Sequence, residues 1–361
     1  MIFFESINKL FEYEQYCLTQ KEKEQILTPY FEYLYNHHKN KCDIYKILLD
    51  TLYPHFNTKK LGSFENMPFI PVQIFKDFEL LSISKNHIFK TMLSSGTSGN
   101  NLSKIFLDKQ TSRMQSKVLA NILSNFLGNQ RLPMLVIDSP ELVNNRNYFS
   151  VRKAATLGFS IFAKDIIFAL DQDMNLDHTA LNKFSEICSK QKTLVFGFTN
   201  IIWKSLLEPL INQKINLNFE NSTIIHGGGW KKLEDRKITN KKFKYTLLEH
   251  TNISRVFNYY GMVEQTGSVY MECEKGFLHC SNFSDILIRD SKDFSICPNK
   301  KQGLVQVLSV LPYSYPGQSL ITEDIGAIYG VDNCECGRLG KYFKIFGRIP
   351  KAEVRGCSDA Y

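Results

Sequence analysis

Five short stretches of this 361-residue chain combine residue types that can do chemistry. The first, SSGTSG, sets Ser94, Ser95, Gly96, Thr97, Ser98 and Gly99 in a row, with Lys104 a few residues on. With almost no side chain to bury, such a run offers exposed backbone N–H groups and short hydroxyls, the groups that hold phosphate. A Ser/Gly hairpin turn has the same composition, so the loop alone does not choose between the two. The second, STIIHGGG, is a β-branched run that stops at Gly227, Gly228 and Gly229. Glycines at the carboxyl end of a strand let a flat ligand such as adenine approach the backbone, although a tight strand-to-helix turn needs them too. The third, NYYGMVEQTGS, places Tyr260 and Gly261 ahead of an isolated acid, Glu264. Mg²⁺ usually takes one or two protein carboxylates and completes its shell with phosphate and water. The fourth, ITEDIG, ends an apolar run with Glu323 and Asp324, acids suited to the two hydroxyls of a ribose. The fifth, KIFGRIPKAEVRGCSDAY, carries Arg348 after a glycine and Cys357 near the C-terminus.

A separate set is rich in thiols. ECEKGFLHC and NCECGR bring Cys273, His279, Cys280, Cys334 and Cys336 into two short segments. Zn²⁺ takes four such ligands in a tetrahedron, and the expected set is Cys273, His279, Cys334 and Cys336 around a structural zinc ion. The C-x-C spacing is tighter than the usual C-x₂-C, and buried structural thiols would give the same count.

The elements that must position these residues follow from the apolar pattern. Ile7, Leu10 and Phe11, then Leu27, Tyr30, Phe31 and Leu34, recur at helical spacing among many charges. Residues 61 to 76, with two prolines, read as an extended connector. NHIFKTML and SKIFLD flank the Ser/Gly loop as short strands, and TSRMQSKVLANILSNFLG is a helix ending at Gly128. LPMLVIDSP and TLVFGFT read as buried strands, and AATLGFSIFA as a small-residue turn into another strand. Strands alternating with helices at this spacing predict a doubly wound α/β layer.

At 43% hydrophobic residues, 361 residues are enough for two lobes or one large α/β unit. The net charge of +8 comes from scattered basic residues, which favours small anionic ligands over nucleic acid. No export signal and no apolar run long enough to span a membrane stand out, so the expectation is a cytoplasmic protein whose nine cysteines do not form a disulfide framework.

In this order, SSGTSGNNLSKIFLD, HGGGWKK, NYYGMVEQTGS, ITEDIG and CECGRLGKYFKIFGR…EVRGCSD resemble the adenylate-forming acyl-activating enzymes. Among them the chain most resembles the acyl-protein synthetases of the luciferin-component ligase type, with phenylacetate–CoA ligases as cousins. The resemblance implies an α/β fold corresponding to the large N-terminal lobe of that superfamily, with its mobile lid absent or reduced to a short arm. It divides the chain into a helical part over residues 1–90, a nucleotide- and acyl-binding core over 91–346 and an arm over 347–361. It also implies ATP and Mg²⁺ as cofactors, a carboxylic acid as substrate, and a thiol on a protein, a carrier protein or CoA as acceptor.

Position by position, the resemblance assigns Ser94 to Gly99 to the β- and γ-phosphates, Gly227 to Gly229 and Tyr260 to adenine, and Glu264 to Mg²⁺. Asp324 falls to ribose and Arg348 to ribose or phosphate, while Val263 stands where the wider superfamily often has Thr. The resemblance leads us to expect no counterpart of that superfamily's lid lysine, so that Lys104, Lys351 or the metal and loop would stabilise the developing charge. Cys357 matches the cysteine that takes the acyl group as a thioester, and Arg355 beside it would favour the thiolate. CoA as direct acceptor and a nucleotide-binding subunit without catalysis are the competing readings. The aromatic stretch LVFGFTNIIW and the surroundings of His226 suit an apolar acyl chain or simply a core.

Overall fold

In a computed structural model, residues 3–57, 61–94, 102–144, 151–229, 238–265 and 267–349 are described. They form two compact units, one built from residues 3–94, 102–122 and 261–349 and the other from 123–260.

The first unit starts with a short helix, Phe3–Ile7, and a 3₁₀ turn, Asn8–Glu12, followed by the helix Gln20–Lys41, whose first turn is closed by a capping box between Thr19 and Glu22. Its inner face buries Leu27, Phe31 and Leu34 at the helical spacing read from the sequence, and Tyr35 with them, while Tyr30 is only half-buried. The stretch expected to be an extended connector contains a 3₁₀ turn, Phe64–Asn66, a two-residue strand β1 (Ile70–Pro71) and a short helix, Ile74–Asp77. Strands β2 (Lys90–Leu93) and β3 (Lys104–Leu107) pair antiparallel as a separate hairpin. The helix Lys109–Leu127 follows, and Gly128, at φ +81°, ends it in the left-handed conformation that glycine tolerates.

The second unit holds a parallel sheet of β4 (Leu132–Ile137), β5 (Ala163–Phe168), β6 (Thr193–Phe198), β7 (Ser222–Gly227) and β8 (Arg255–Tyr260). Its strand order is β8-β7-β6-β4-β5, a doubly wound arrangement that reverses direction at β4. Every residue of β4, β6 and β7 is buried, which is why apolar and β-branched residues dominate those segments. AATLGFSIFA differs from its expected turn and strand: Val151–Phe159 is a helix, Ser160–Phe162 a 3₁₀ turn, and the strand begins only at Ala163. Arg152, buried in that helix, donates to Asp138 at the end of β4 at 2.5 and 3.1 Å and fixes the helix there.

The chain then returns to the first unit with β9 (Tyr270–Glu272), β10 (Leu278–His279), β11 (Ser284–Arg289), β12 (Gly303–Ser309), β13 (Ser319–Val331) and β14 (Lys341–Arg348). These strands pair antiparallel in the order β11-β12-β13-β14-β10-β9, with β1 added parallel to β13. This antiparallel layer is not part of the doubly wound pattern read from the sequence. Its core contains an ion cluster, in which Asp285 sits 2.9 Å from both Lys23 and Lys341 and is fully buried.

Among the described residues no helix is long and apolar enough to cross a membrane, and the described cysteines are all free thiols.

Candidate functional site

In the first unit, the neck of the Ser/Gly loop is a serine clasp. Ser94 N–H donates to the Ser103 carbonyl at 3.0 Å, and Ser103 N–H donates to Ser94 Oγ at 2.9 Å. The clasp extends the β2–β3 ladder by one step beyond the Leu93–Lys104 pair, so the loop leaves from a fixed base. Ser95, Gly96, Thr97, Ser98 and Gly99 lie outside the described residues. Lys104 is half exposed and its Nζ lies 3.7 Å from the carboxylate of Glu79, a solvated ion pair. Ser103, fully buried with its Oγ unpaired, was not singled out in the sequence; its only signal is its place before the β3 run.

Glu264 sits in the 3₁₀ turn Val263–Gln265 and is only 5% exposed. The turn is braced from below, since Gln265 Nε2 donates to the carbonyls of Val307 at 3.1 Å and Gly317 at 2.9 Å. Ser268 adds a bond from its N–H to the Gln265 carbonyl at 3.1 Å and from its Oγ to Ser309 Oγ at 2.6 Å. Gly267 must be glycine twice over: its φ is +88°, and a Cβ would lie 2.9 Å from Gln115. Gly261 is exposed immediately after β8.

Asp324 and Arg348 are cross-strand partners in the β13–β14 ladder, and Arg348 Nε lies 3.4 Å from Asp324 Oδ1. Both are partly exposed, so an acceptor and a donor fork face outward as a pair. The neighbouring Glu323 accepts a hydrogen bond from Gln73.

In the second unit, Gly227 ends β7 opposite Tyr259 of β8, and Gly228 at φ +88° and Gly229 follow. The backbone is pinned by Thr199, whose Oγ1 lies 2.9 Å from His226 Nδ1 and donates to the Gly227 carbonyl at 3.0 Å. A Cβ on Gly227 would lie 2.3 to 2.8 Å from three atoms of the Tyr259 ring. The space this glycine leaves open is therefore filled by the protein's own aromatic, while Tyr260 ends the strand half-buried. His226 is fully buried, and burial together with Lys244 pushes its imidazole down to about 3, so it is neutral. Phe196, Phe198, Ile202 and Trp203 of the aromatic stretch are buried in the same unit. Thr199 and Tyr259, which hold the Gly227 strand end, were not singled out from the sequence. Thr199 directly follows a fully buried, mainly apolar strand, a visible signal; the seat of Tyr259 is a tertiary contact.

The thiol set lies within the first unit. The candidate ligand atoms of Cys273, His279, Cys334 and Cys336 all lie within 4.8 Å of one another. Burial pushes the Cys334 thiol up to about 12 and the His279 imidazole down to about 4. Cys280 follows His279 directly, so along a strand it faces the other way, and it is buried near Lys23 and Asp285. Cys357 and Lys351 lie outside the described residues.

Comparison with known proteins gives a consistent picture. The family model "Acyl-protein synthetase, LuxE" matches residues 4–361. The chain is 23% identical over 350 residues to the long-chain-fatty-acid–luciferin-component ligase of Vibrio harveyi, covering 94% of this chain and 88% of that protein. Among solved structures, it is similar to 2-hydroxyisobutyryl-CoA ligase in an open conformation with 2-HIB-AMP and CoA. The TM-score is 0.70 at 13% identity, over 93% of this chain and 77% of the other. The same ligase in its postadenylation state with 2-HIB-AMP matches at a TM-score of 0.69 and 14% identity, over 92% and 69% of the two chains. The fold is that of the adenylate-forming ligases.

Proposed function

Because the chain belongs to the acyl-protein synthetase family and is an AMP-forming ligase, we propose that it activates a fatty acid with ATP and passes the acyl group to the thiol of Cys357. In the first step the carboxylate oxygen attacks the α-phosphorus, the bond to the bridging oxygen breaks, and pyrophosphate leaves. In the second, a thiolate attacks the carbonyl carbon of the acyl-AMP, the acyl C–O bond breaks, and AMP leaves.

The observation that carries this reading is the family match over residues 4–361, which runs through all five chemical stretches. Ser95 to Gly99 take the β- and γ-phosphates through their N–H groups, while the N–H of Ser94 is held by the Ser103 carbonyl, so that Ser94 contributes at most its hydroxyl and its clasp with Ser103 sets where that loop begins. Gly228, Gly229 and Tyr260 border the adenine, Asp324 accepts from the ribose hydroxyls, and Arg348 both orients Asp324 and reaches ribose or phosphate. Glu264, a carboxylate on a braced and buried turn, fits the one protein carboxylate that would hold Mg²⁺ while phosphate and water complete its oxygen shell; the ion would supply charge neutralisation on the triphosphate. Lys104 is held at the surface by Glu79 and would have to leave that weak pair to reach the phosphates. Residues 347–361 act as the arm that carries Cys357, and the need for ATP fits a cytoplasmic site of action. The acid is assigned to the fatty class on the luciferin-component ligase of Vibrio harveyi, and CoA, present with 2-hydroxyisobutyryl-CoA ligase, is the competing acceptor.

Two measurements test this. Pyrophosphate exchange across a panel of carboxylic acids should be fastest with long aliphatic chains; no exchange with any acid would refute the activity. Intact mass after incubation with ATP, Mg²⁺ and an accepted acid should show one acyl adduct that hydroxylamine removes. Cys357→Ala should keep the exchange and lose the adduct. An adduct on that variant would put the thioester elsewhere, and acyl-CoA formed at the wild-type rate by the variant would make CoA the direct acceptor.

A further inference from the structure

The thiol set repeats one small device. Cys273-Glu274-Lys275-Gly276 and Cys334-Glu335-Cys336-Gly337 are both Cys-Glu-x-Gly turns. In each, the glycine N–H donates to the carbonyl of the leading cysteine at 2.9 Å, and the glycine takes a positive φ, +76° at Gly276 and +85° at Gly337. The backbone N–H groups of Lys275, Cys336 and Arg338 each donate to the sulfur of the cysteine two positions earlier. Three thiols thus receive amide dipoles, the groups that stabilise thiolates. The fourth side chain, His279, comes from β10, is fully buried, and has an Nδ1 with no hydrogen-bond partner.

The spacing fits a metal. Zn–S near 2.3 Å and Zn–N near 2.0 Å place tetrahedral ligands about 3.8 Å apart for S···S and about 3.5 Å for S···N. Cys273 Sγ and Cys334 Sγ are 4.0 Å apart, and Cys336 Sγ is 3.4 Å from His279 Nε2. We propose that Cys273, His279, Cys334 and Cys336 bind one Zn²⁺ as a closed Cys₃His site that joins the β9–β10 hairpin to the β13–β14 turn. All four positions of the ion are filled by protein, so it is structural and offers no place to a substrate. Three thiolates leave the bound ion one negative charge in excess, and Arg338, which pairs with Glu274 at 2.7 Å, also donates to Cys336 Sγ and so places part of its guanidinium charge beside the site. The consequence reaches the candidate active site through the chain: β13 and β14, whose turn the zinc closes, carry Asp324 and Arg348. This proposal is independent of the acyl-transfer reading, and metal content reports on it without any assay of activity.

Protein purified without chelators should hold about one zinc per chain by plasma mass spectrometry, with an X-ray absorption edge fitting three sulfurs and one nitrogen. Cobalt put in place of zinc should give the thiolate charge-transfer and strong d–d bands of a tetrahedral site. Cys334→Ser/Cys336→Ser should drop bound zinc at least fivefold, whereas Cys188→Ser and Cys297→Ser, buried thiols elsewhere, should keep it. Should the double variant fail to fold, the cobalt spectrum of the full-length wild type decides. Less than a third of an equivalent of zinc on the wild type, iron in its place, cobalt bands of octahedral type, or full zinc retention in the double variant would each overturn the proposal.

Discussion

Replacing Gly227 by Ala tests whether the first glycine of HGGG serves a ligand or the protein's own packing. An added Cβ would stand 2.3, 2.5 and 2.8 Å from Cε1, Cζ and Cδ1 of Tyr259. Carbon atoms pack at about 3.5–4.0 Å, so the ring must move by more than about 1 Å. It is not free to do so, because Tyr259 lies 5.1 Å from the ring of Phe159 and 6.5 Å from that of Phe196, and those two stack at 4.4 Å. Overpacking of this kind costs about 1–3 kcal/mol, and each aromatic pair pushed apart adds about 0.5–1.5 kcal/mol. Gly227→Ala should therefore destabilise by about 2–6 kcal/mol, read as a lower urea midpoint at unchanged m. Tyr259→Ala in the same chain removes the obstacle, so the double variant should be more stable than the sum of the singles predicts by about 2 kcal/mol. Gly228→Ala behaves differently, since its φ of +88° strains any side chain and no change at Tyr259 relieves that. A Gly227→Ala protein within about 0.5 kcal/mol of wild type, the ordinary range of a neutral surface change, or strictly additive singles, would refute the packing argument.

Asp285→Asn leaves Lys23 and Lys341 buried without their counter-charge and should cost about 3–5 kcal/mol in urea unfolding, with Lys23→Met costing less because Lys341 still faces the carboxylate. Although burial opposes its ionisation, Lys23 and Lys341 hold the Asp285 carboxyl down to about 2. A folded-state value below the unfolded one means stability that is present above about pH 4 and lost as pH falls toward 2. Wild-type stability should fall across that window, and the Asp285→Asn protein should show a shallower slope; equal slopes would reject the assignment. At the candidate ribose position, Asp324→Asn weakens hydrogen bonds to a charged acceptor worth about 1.5–3 kcal/mol, so KM for ATP in pyrophosphate exchange should rise roughly ten- to a hundredfold. The effect should be smaller with 2′-deoxy-ATP, and an unchanged KM would remove Asp324 from the ribose.

The sequence by itself determined the elements whose signal is local. β4, β6 and β7 are buried on both faces and so are mainly apolar, with Thr193, Ser222, Thr223 and His226 as the polar exceptions, which makes them legible without any partner. The helix that stops at Leu127 is legible because Gly128 supplies the left-handed turn that ends it. The grouping of Cys273, His279, Cys334 and Cys336, whose side chains the structure brings together, is legible because Cys and His in short spacings are scarce residue types. AATLGFSIFA is ambiguous because its small and apolar residues fit a turn and strand as well as the helix it forms, and the deciding contact, Arg152 on Asp138, joins residues 14 apart in sequence. What only the tertiary structure decided is pairing: that β1 lies beside β13, that β10 lies between β9 and β14, that Gln265 braces the Glu264 turn against Val307 and Gly317, and that Tyr259 occupies the gap at Gly227. Each of these joins residues whose own neighbourhoods are compatible with several partners, and the choice among partners is made by burying one particular set of faces at once, a property of the whole chain and of no short stretch of it.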